Sequence, residues 1–397
     1  MGSYTYLDWA ATTPLGEAAA AAMQPYLVPG RDNIAFGGNA NSLHSAGRAA
    51  FKALEEARAS IARSVGARRA DEIIFTSGAT EADNAVMFGL VSAATHAAHQ
   101  QGKRDFVPHV ITTTFEHDAI LAAAAALEAR GVAVTRLAPT RAGFIDPETL
   151  RAAMRDNTVL VSIMAVNNEI GSIQPLAPLA HIAHAGGALF HSDMVQALGK
   201  YTLDLQAWDV DAASFSAHKI CGPKGVGALY LKARTPFDAF LLGGGQEAGR
   251  RSGTQNVCGA VGFAAACAVA CADAEAESAR LRPLRDHLYA RLCALPGVRS
   301  SIVVAPGSTD HVATIVNVLV EGFESETLIL RLDFSGYCVS GGSACSSHSL
   351  APSHVLAALG ISNDDALGSL RISLGRYTTR EDVEGFLEAF NKALNWE

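Results

Sequence analysis

The sequence predicts an α/β protein: a large domain with a mostly parallel sheet flanked by helices, plus a smaller α+β C-terminal domain. Three observations predict it. From Glu72 to about Leu231, short β-branched runs alternate with helical stretches, the pattern of βα units around a parallel sheet. A long helical region from Val257 to about Leu295 then gives way to well-separated strands at Val312–Val320 and Leu370–Leu374, with helices between and after. Finally, 397 residues exceed what one hydrophobic core usually supports. The expected division is an arm, 1–15, associated with the small domain, a large domain, 16–260, and a small domain, 261–397.

In chain order, Tyr6 to Pro14 reads as an extended arm, because Pro14 biases Thr13 away from helix. A helix over Glu17–Leu27 follows, then a Gly- and Asn-rich loop from Phe36 to Ser42. The next helix is marked by Ala49, Ala53, Leu54, Ala57 and Ile61 at helical spacing. The strands expected in the large domain are Ile73–Thr76, Val110–Thr113, Val132–Leu137, Val159–Val166, Ala188–His191, Ala212–Ser216 and Val226–Leu231.

Composition narrows the function classes. Hydrophobic residues at 49% and charged residues at 18% describe a folded globular chain. A net charge of -8 argues against nucleic acid as a direct partner, since phosphate binding needs a basic face. Met1-Gly2-Ser3-Tyr4 has neither the charged nor the apolar region of a secretory signal. The apolar run Val257–Ala272 is shorter than the roughly 18 to 20 residues of a membrane span and reads as a buried helix, so no membrane partner is expected. Seven cysteines, an odd number without regular spacing, fit a reducing compartment, with the cytoplasm as the expected location.

The chemistry centres on Ser214-Phe215-Ser216-Ala217-His218-Lys219-Ile220-Cys221-Gly222-Pro223-Lys224-Gly225. Lys219 stands at the end of a buried strand, where desolvation lowers an ammonium's pKa and a neutral amine condenses with a carbonyl to a Schiff base. The hydroxyls and the imidazole beside it could hold a phosphate, which together suggests pyridoxal phosphate; an ordinary turn lysine is the alternative. Thr76 to Asn84 is a strand, a small-residue turn and a helix start, either an anion site or an ordinary N-cap. Asp193 ends the strand before Met194-Val195-Gln196, where an unpaired carboxylate is costly and a pyridinium nitrogen would partner it; a helix N-cap is the alternative.

His117, after another strand, could lie over a cofactor ring and handle protons, or cap and pack. Asn167-Asn168-Glu169 again ends a strand in polar groups. Several such ends converging is what a crevice at the carboxyl edge of an α/β sheet requires. Cys345, in the stretch Gly336 to Ser349, has small residues on both sides and is expected on a mobile, partly exposed loop, as a nucleophile if its pKa is lowered; an incidental cysteine on a flexible loop is the alternative. Cys267 and Cys271 fall on one face of a buried helix. No metal site is expected, since there is no CxxC pair and Cys338, His348 and His354 lack a zinc spacing. Gly243 to Thr254, with Arg250 and Arg251, is apt for approaching an anion but lacks the ending of a P-loop. Arg371, in an apolar strand, needs an anion, either a substrate carboxylate or a structural ion pair.

In this order and over nearly the whole chain, these motifs make the sequence similar to the cysteine desulfurases, NifS-like members of the class V, fold-type I pyridoxal phosphate enzymes. The resemblance implies that Lys219 carries the cofactor, Asp193 pairs with the pyridine nitrogen, His117 stacks on the ring and Gln196 bonds the ring hydroxyl. Ala79, Thr80, Ser216 and His218 would hold the phosphate, with Thr254 joining from the other subunit of a homodimer. Asn168 and Arg371 would fix the carboxylate of L-cysteine, and Cys345 would take its sulfur as a persulfide. The sulfur would pass to an acceptor protein such as an iron-sulfur scaffold. Selenocysteine lyase or class V aminotransferase activity is the enzymatic alternative, and a catalytically silent sulfur-transfer partner the non-enzymatic one. Three departures stand out: Asn39-Ala40 where the family has Asn-Pro, His348 in place of a small residue, and an end at Trp396-Glu397 without the longer scaffold-docking tail of some relatives.

Overall fold

The computed structural model describes residues 4–34, 36–342 and 352–395. An extended segment with strand β1 (Thr5–Tyr6) leads to helices α1 (Glu17–Leu27) and α2 (Ser45–Val65). The central sheet follows, built from β2 (Ile73–Thr76), β3 (His109–Thr113), β4 (Ala133–Leu137), β5 (Thr158–Ser162), β6 (Leu189–Asp193), β7 (Ala212–Ser216) and β8 (Gly227–Leu231). Helices α3 (Ala79–Gln100), α4 (Asp118–Glu128), α5 (Pro147–Ala153) and α6 (Leu176–Ala185) connect them. The spatial order is β2-β8-β7-β6-β5-β3-β4, and only β8 runs against its neighbours. Six carboxyl ends therefore point to one edge of the sheet.

Both faces of this sheet are covered, which is why its inner strands read as unbroken apolar runs. Alternate residues divide between two cores: Ile111, Val161, Ala213 and Phe215 pack with α2 and α6 on one face. Val110, Leu160, Ala212 and Leu229 pack with α3 and α4 on the other. Along α2 the buried stripe is Ala50, Leu54, Ala57, Ile61 and Val65; Ala49, placed on it by spacing alone, is exposed because the stripe lies one residue further on.

Helix α7 (Val257–Leu292) links this body to a second core. Its first half, through Cys267, packs on the α2 side of the sheet, whereas Leu281, Leu288 and Leu292 belong to the second core. It is long and apolar enough to cross a membrane, but half of its most apolar window is buried in the protein. The second core covers an antiparallel sheet of β9 (Val298–Ser300), β10 (Ile315–Val320) and β12 (Ser369–Ser373), in the order β12-β10-β9, with α8 (Ser325–Phe334) and α11 (Arg380–Leu394) against it. Strand β11 (Tyr337–Cys338) pairs in parallel with β1, and Asp8 bridges Ser373, so residues 5–8 run between β11 and β12. Short helices α9 (His354–Ala358) and α10 (Asn363–Leu367) precede β12.

The regular part of the run expected as Val159–Val166 ends at Ser162. Beyond it the chain stays bonded to β6, with Ile163 N donating to His191 O at 3.1 Å and Ala165 N to Asp193 O at 2.8 Å. On its other side β3 has turned away, and the carboxylate of Glu116 takes the Met164 amide at 3.0 and 3.1 Å instead. A buried carboxylate thus substitutes for a missing strand where the sheet opens into a crevice. Burial raises the Glu116 pKa to about 8, against the opposing pull of the Met164 amide and the Thr113 hydroxyl.

Candidate active site

Five strand ends deliver side chains to one cavity of about 480 Å³. From β2 the chain turns through Ser77-Gly78 into α3, whose N-terminus has no side-chain cap, so the ordinary N-cap alternative fails there. Ala79 and Thr80 line the cavity, and a Cβ built on Gly78 would meet nothing within 4 Å. On the sheet side the turn is pressed against Gly227, where a Cβ would stand 2.7 Å from the Gly78 Cα; only glycine lets the turn lie so close. First-turn amides at an uncapped helix N-terminus, with the helix dipole behind them, are groups suited to an anion.

Ser216, His218 and Lys219 reach the same cavity from the end of β7, with Lys224 beyond them. His218 Nδ1 lies 3.0 Å from Thr12 Oγ1, and burial, followed by the charges of Lys219 and Lys224, lowers its pKa to about 4. It is therefore a neutral hydrogen-bonding group at pH 7. Lys219 Nζ donates to the carbonyls of Ala10 and Ala11, each at 2.7 Å. The extended segment is tied to the lysine segment again through Thr13, whose Oγ1 donates to His218 O at 2.7 Å and accepts from Cys221 N at 2.7 Å.

Asp193 lines the cavity at the end of β6, with one carboxylate oxygen accepting from Val195 N at 2.9 Å. No helix follows it, so the capping alternative falls away. Burial raises its pKa, and His117, the Val195 amide and Lys219 pull it back. Gln196 donates from Nε2 to Ala10 O at 2.9 Å. After β3, His117 both lines the cavity and caps α4, its Nδ1 accepting from Ala119 N at 3.1 Å. That bond fixes the tautomer of the neutral ring, with its proton on Nε2.

Asn168 and Arg371 complete the wall. Arg371 is 1% exposed and donates to Asn168 O at 2.9 Å and to Asp8 Oδ1 at 3.0 Å, while its Nε has no partner. The structural ion pair is thus present, on a side chain that also lines the cavity. Thr254 is exposed and lies outside this cavity. Arg251 is engaged by Glu81, at 2.7 and 3.1 Å, rather than open to an anion. Cys345 and His348 lie outside the described residues. Cys267 and Cys271 place their sulfurs 3.9 Å apart on α7. Among the described residues no three His, Cys, Asp or Glu side chains form a group able to hold a metal ion.

Sequence reasoning missed two members. Asp83, 1% exposed on α3, lines the cavity with Oδ1 unpartnered, and burial and the charge of Asp193 hold its carboxyl well above the usual range. Asp8 sits opposite Arg371 in three dimensions but 363 residues away in sequence. Its signal was a lone charge in an otherwise apolar segment.

The arrangement offers an anion cradle, a lysine amine, a buried carboxylate and a guanidinium around one cavity. Comparison with known proteins shows the family. The family described as aminotransferase class-V matches residues 5–386. The protein named cysteine desulfurase IscS from Dictyoglomus turgidum is 41% identical over 390 residues, 98% of this chain and 94% of that one. Its namesake from Klebsiella pneumoniae is 44% identical over 381 residues, 96% and 90% of the two chains. Among solved structures, a NifS-like protein superposes with a TM-score of 0.88 at 34% identity, covering 99% of this chain and 100% of that one. SspA in complex with cysteine gives 0.76 at 31% identity, covering 94% and 99%. The chain belongs to the aminotransferase class-V family, among its NifS-like cysteine desulfurases.

Proposed function

We propose that the chain converts L-cysteine to L-alanine with pyridoxal phosphate, keeping the sulfur as a persulfide on Cys345 for transfer to an acceptor protein. The observation that carries this reading is the convergence of Lys219, Asp193, His117 and Arg371 on one cavity of about 480 Å³. The names of the relatives and the cysteine complex of SspA support the same substrate.

The cavity suits the cofactor on its own terms. The uncapped α3 N-terminus with Ala79 and Thr80, together with Ser216 and neutral His218, makes a phosphate cradle. The buried Asp193 carboxylate, costly as an isolated charge, suits a protonated ring nitrogen. Gln196 would meet the ring hydroxyl, His117 the ring face and Lys219 the aldehyde carbon, with Thr254 entering from the second copy of a homodimer. When bound, the cofactor supplies an electron-withdrawing ring that stabilises negative charge on the substrate's Cα.

The chain's own residues do the rest. Arg371 and Asn168 grip the substrate carboxylate, which sets the orientation of the Cα–H bond. The Lys219 amine, beside that carbon, would take and return the proton. His117, held by the Ala119 amide with its proton on Nε2, handles protons over the reacting atoms. The thiolate of Cys345 bonds to the substrate sulfur as the carbon–sulfur bond breaks and a proton takes the vacated place on carbon. One cysteine and one enzyme thiol become one alanine and one persulfide, without an external oxidant or reductant. Segments flanking Cys345 meet at Glu169, to which Ser353 Oγ donates at 2.5 Å and beside which Gly342 packs.

We read the chain as an arm at 1–15, a large cofactor-binding domain at 16–260 and a small domain at 261–397 carrying the nucleophile, working in the cytoplasm with an acceptor such as an iron-sulfur scaffold. The test is to incubate the protein with L-cysteine and quantify alanine and protein-bound persulfide beside Cys345→Ala. Stoichiometric alanine and persulfide, both lost in the variant, are expected. Undiminished alanine from the variant, or a keto acid as product, overturns the reading.

A further inference from the structure

Gln196 has a neighbour that neither the motifs nor the proposed mechanism uses. Lys200, one helical-type step along the chain, directs Nζ onto Gln196 Oε1, while Gln196 Nε2 donates to Ala10 O at 2.9 Å. Lys219 Nζ donates to the same Ala10 carbonyl at 2.7 Å. The chain of contacts therefore runs from Lys200 through the Gln196 amide to the residue segment that holds Lys219.

A glutamine amide has two nearly isosteric ends of opposite character, an acceptor oxygen and a nitrogen with two donor hydrogens, so a half-turn inverts what it offers. The Lys200 amine, charged or neutral, has hydrogens to donate, and its bond to Oε1 favours that orientation of the Gln196 amide over the flipped one. In the favoured one, Nε2 spends one hydrogen on Ala10 O and keeps the second for the cavity that Gln196 lines. The charged groups around Lys200 are Lys219, Glu277 and Arg376, which share an adjoining cavity of about 80 Å³ with it and the Cys221 thiol, and Arg371 on β12. Burial, then Lys219 and Arg371, hold the Lys200 pKa well below the usual lysine range.

We propose that Lys200 is a positioning residue that locks the Gln196 amide with its nitrogen toward the cofactor's ring hydroxyl. This rests on the reading of Gln196 given above. A donor at that oxygen favours its deprotonated form, so losing the donor raises the pH at which the visible absorption band of the loaded protein changes.

The experiment follows that midpoint by absorbance titration of the pyridoxal phosphate-loaded protein in wild type, Lys200→Met, Gln196→Met and the double variant. Each single variant is expected to raise it by roughly half a unit to one unit, the size of one hydrogen bond, and the double variant no further than Gln196→Met alone. Lys200→Arg, which keeps a cationic donor, is expected to hold the wild-type midpoint and serves also if Lys200→Met does not fold; an Arg variant shifted as far as Gln196→Met overturns the proposal. So does an unshifted Lys200→Met, or a double variant whose shift is the sum of the two, since Lys200 then acts through its charge alone. A Gln196→Met variant with the wild-type midpoint that still forms alanine removes the Gln196 contact and this proposal with it, but leaves the desulfurase reading standing. Failure of that reading shows differently, as a protein that takes up no pyridoxal phosphate and forms no alanine.

Discussion

Arg285 and Arg371 are both fully buried, at 0% and 1% exposure, yet their surroundings differ in kind. Arg285, on α7, is saturated: it donates to Asp286 at 2.8 and 3.0 Å and to the carbonyls of His311 and Ser308 at 2.9 and 3.1 Å. Arg371, on β12, lines the cavity and reaches Asn168 O and Asp8, but its buried Nε has no partner. A buried guanidinium with every donor placed joins one piece of backbone to another. One with a donor left over, on a side chain that lines a cavity, is not accounted for by backbone joining alone.

The largest expected effect tests the saturated side. Arg285→Met should lower stability by about 3 to 5 kcal/mol in urea unfolding, because several carbonyls and Asp286 lose their partner inside the protein. A loss below about 1 kcal/mol would break the comparison. For the unsaturated side, Arg371→Lys should lower kcat/KM for L-cysteine by about 10- to 100-fold, the worth of one or two charged hydrogen bonds, with a smaller change in unfolding midpoint than Arg285→Met.

Asp8→Asn sharpens the same contrast, since on the proposed reading Asp8 would compete with a substrate carboxylate for the guanidinium. KM should fall by about fivefold, equivalent to about 1 kcal/mol, and a rise in KM would show that Asp8 positions Arg371 rather than opposing the substrate. The carboxyls carry the same contrast, and their effect is read as a slope against pH. Glu116 is bonded by Thr113 at 2.8 Å and by the Met164 amide, whereas Glu169 keeps Oε1 unpartnered. Because the folded-state pKa of Glu116 is raised from 4.5 to about 8, the folded protein holds a proton that the unfolded chain releases across that window. Its contribution is complete below about pH 4.5 and is lost as pH rises through 8, so stability falls with rising pH. Glu116→Gln should flatten that slope by about one proton, read from unfolding midpoints between pH 5 and 8.

Much of the crevice was legible because strand ends announce themselves. Asp193, Ser216 and His117 each follow a run of buried residues, and polarity after such a run needs a partner. Local signals could not show that the run from Val159 would lose its regular pairing at Ser162, since that depends on where β3 turns away. Nor could they show the two-residue strands β1 and β11, which carry no periodicity. The partner of Arg371 was half visible: its need for an anion follows from an apolar strand, but the choice of Asp8 is made by tertiary pairing.

The run of residues 5–8 between β11 and β12 sets an order on the protein's making. Leu7 N donates to Cys338 O at 2.9 Å, and Ser373 N donates to Leu7 O at 2.7 Å. The residues emerging early from the ribosome are thus docked by some of those emerging late, with 363 positions between Asp8 and Arg371. The large sheet can assemble during translation, as domains generally do. Ala10, which receives Lys219 together with Ala11, gains its tie to the Ser373 hydroxyl only when β12 has been made. A nascent chain halted before β12 would lack Arg371 and the Ser373 tie, so the wall of the Lys219 cavity is completed only in a finished molecule.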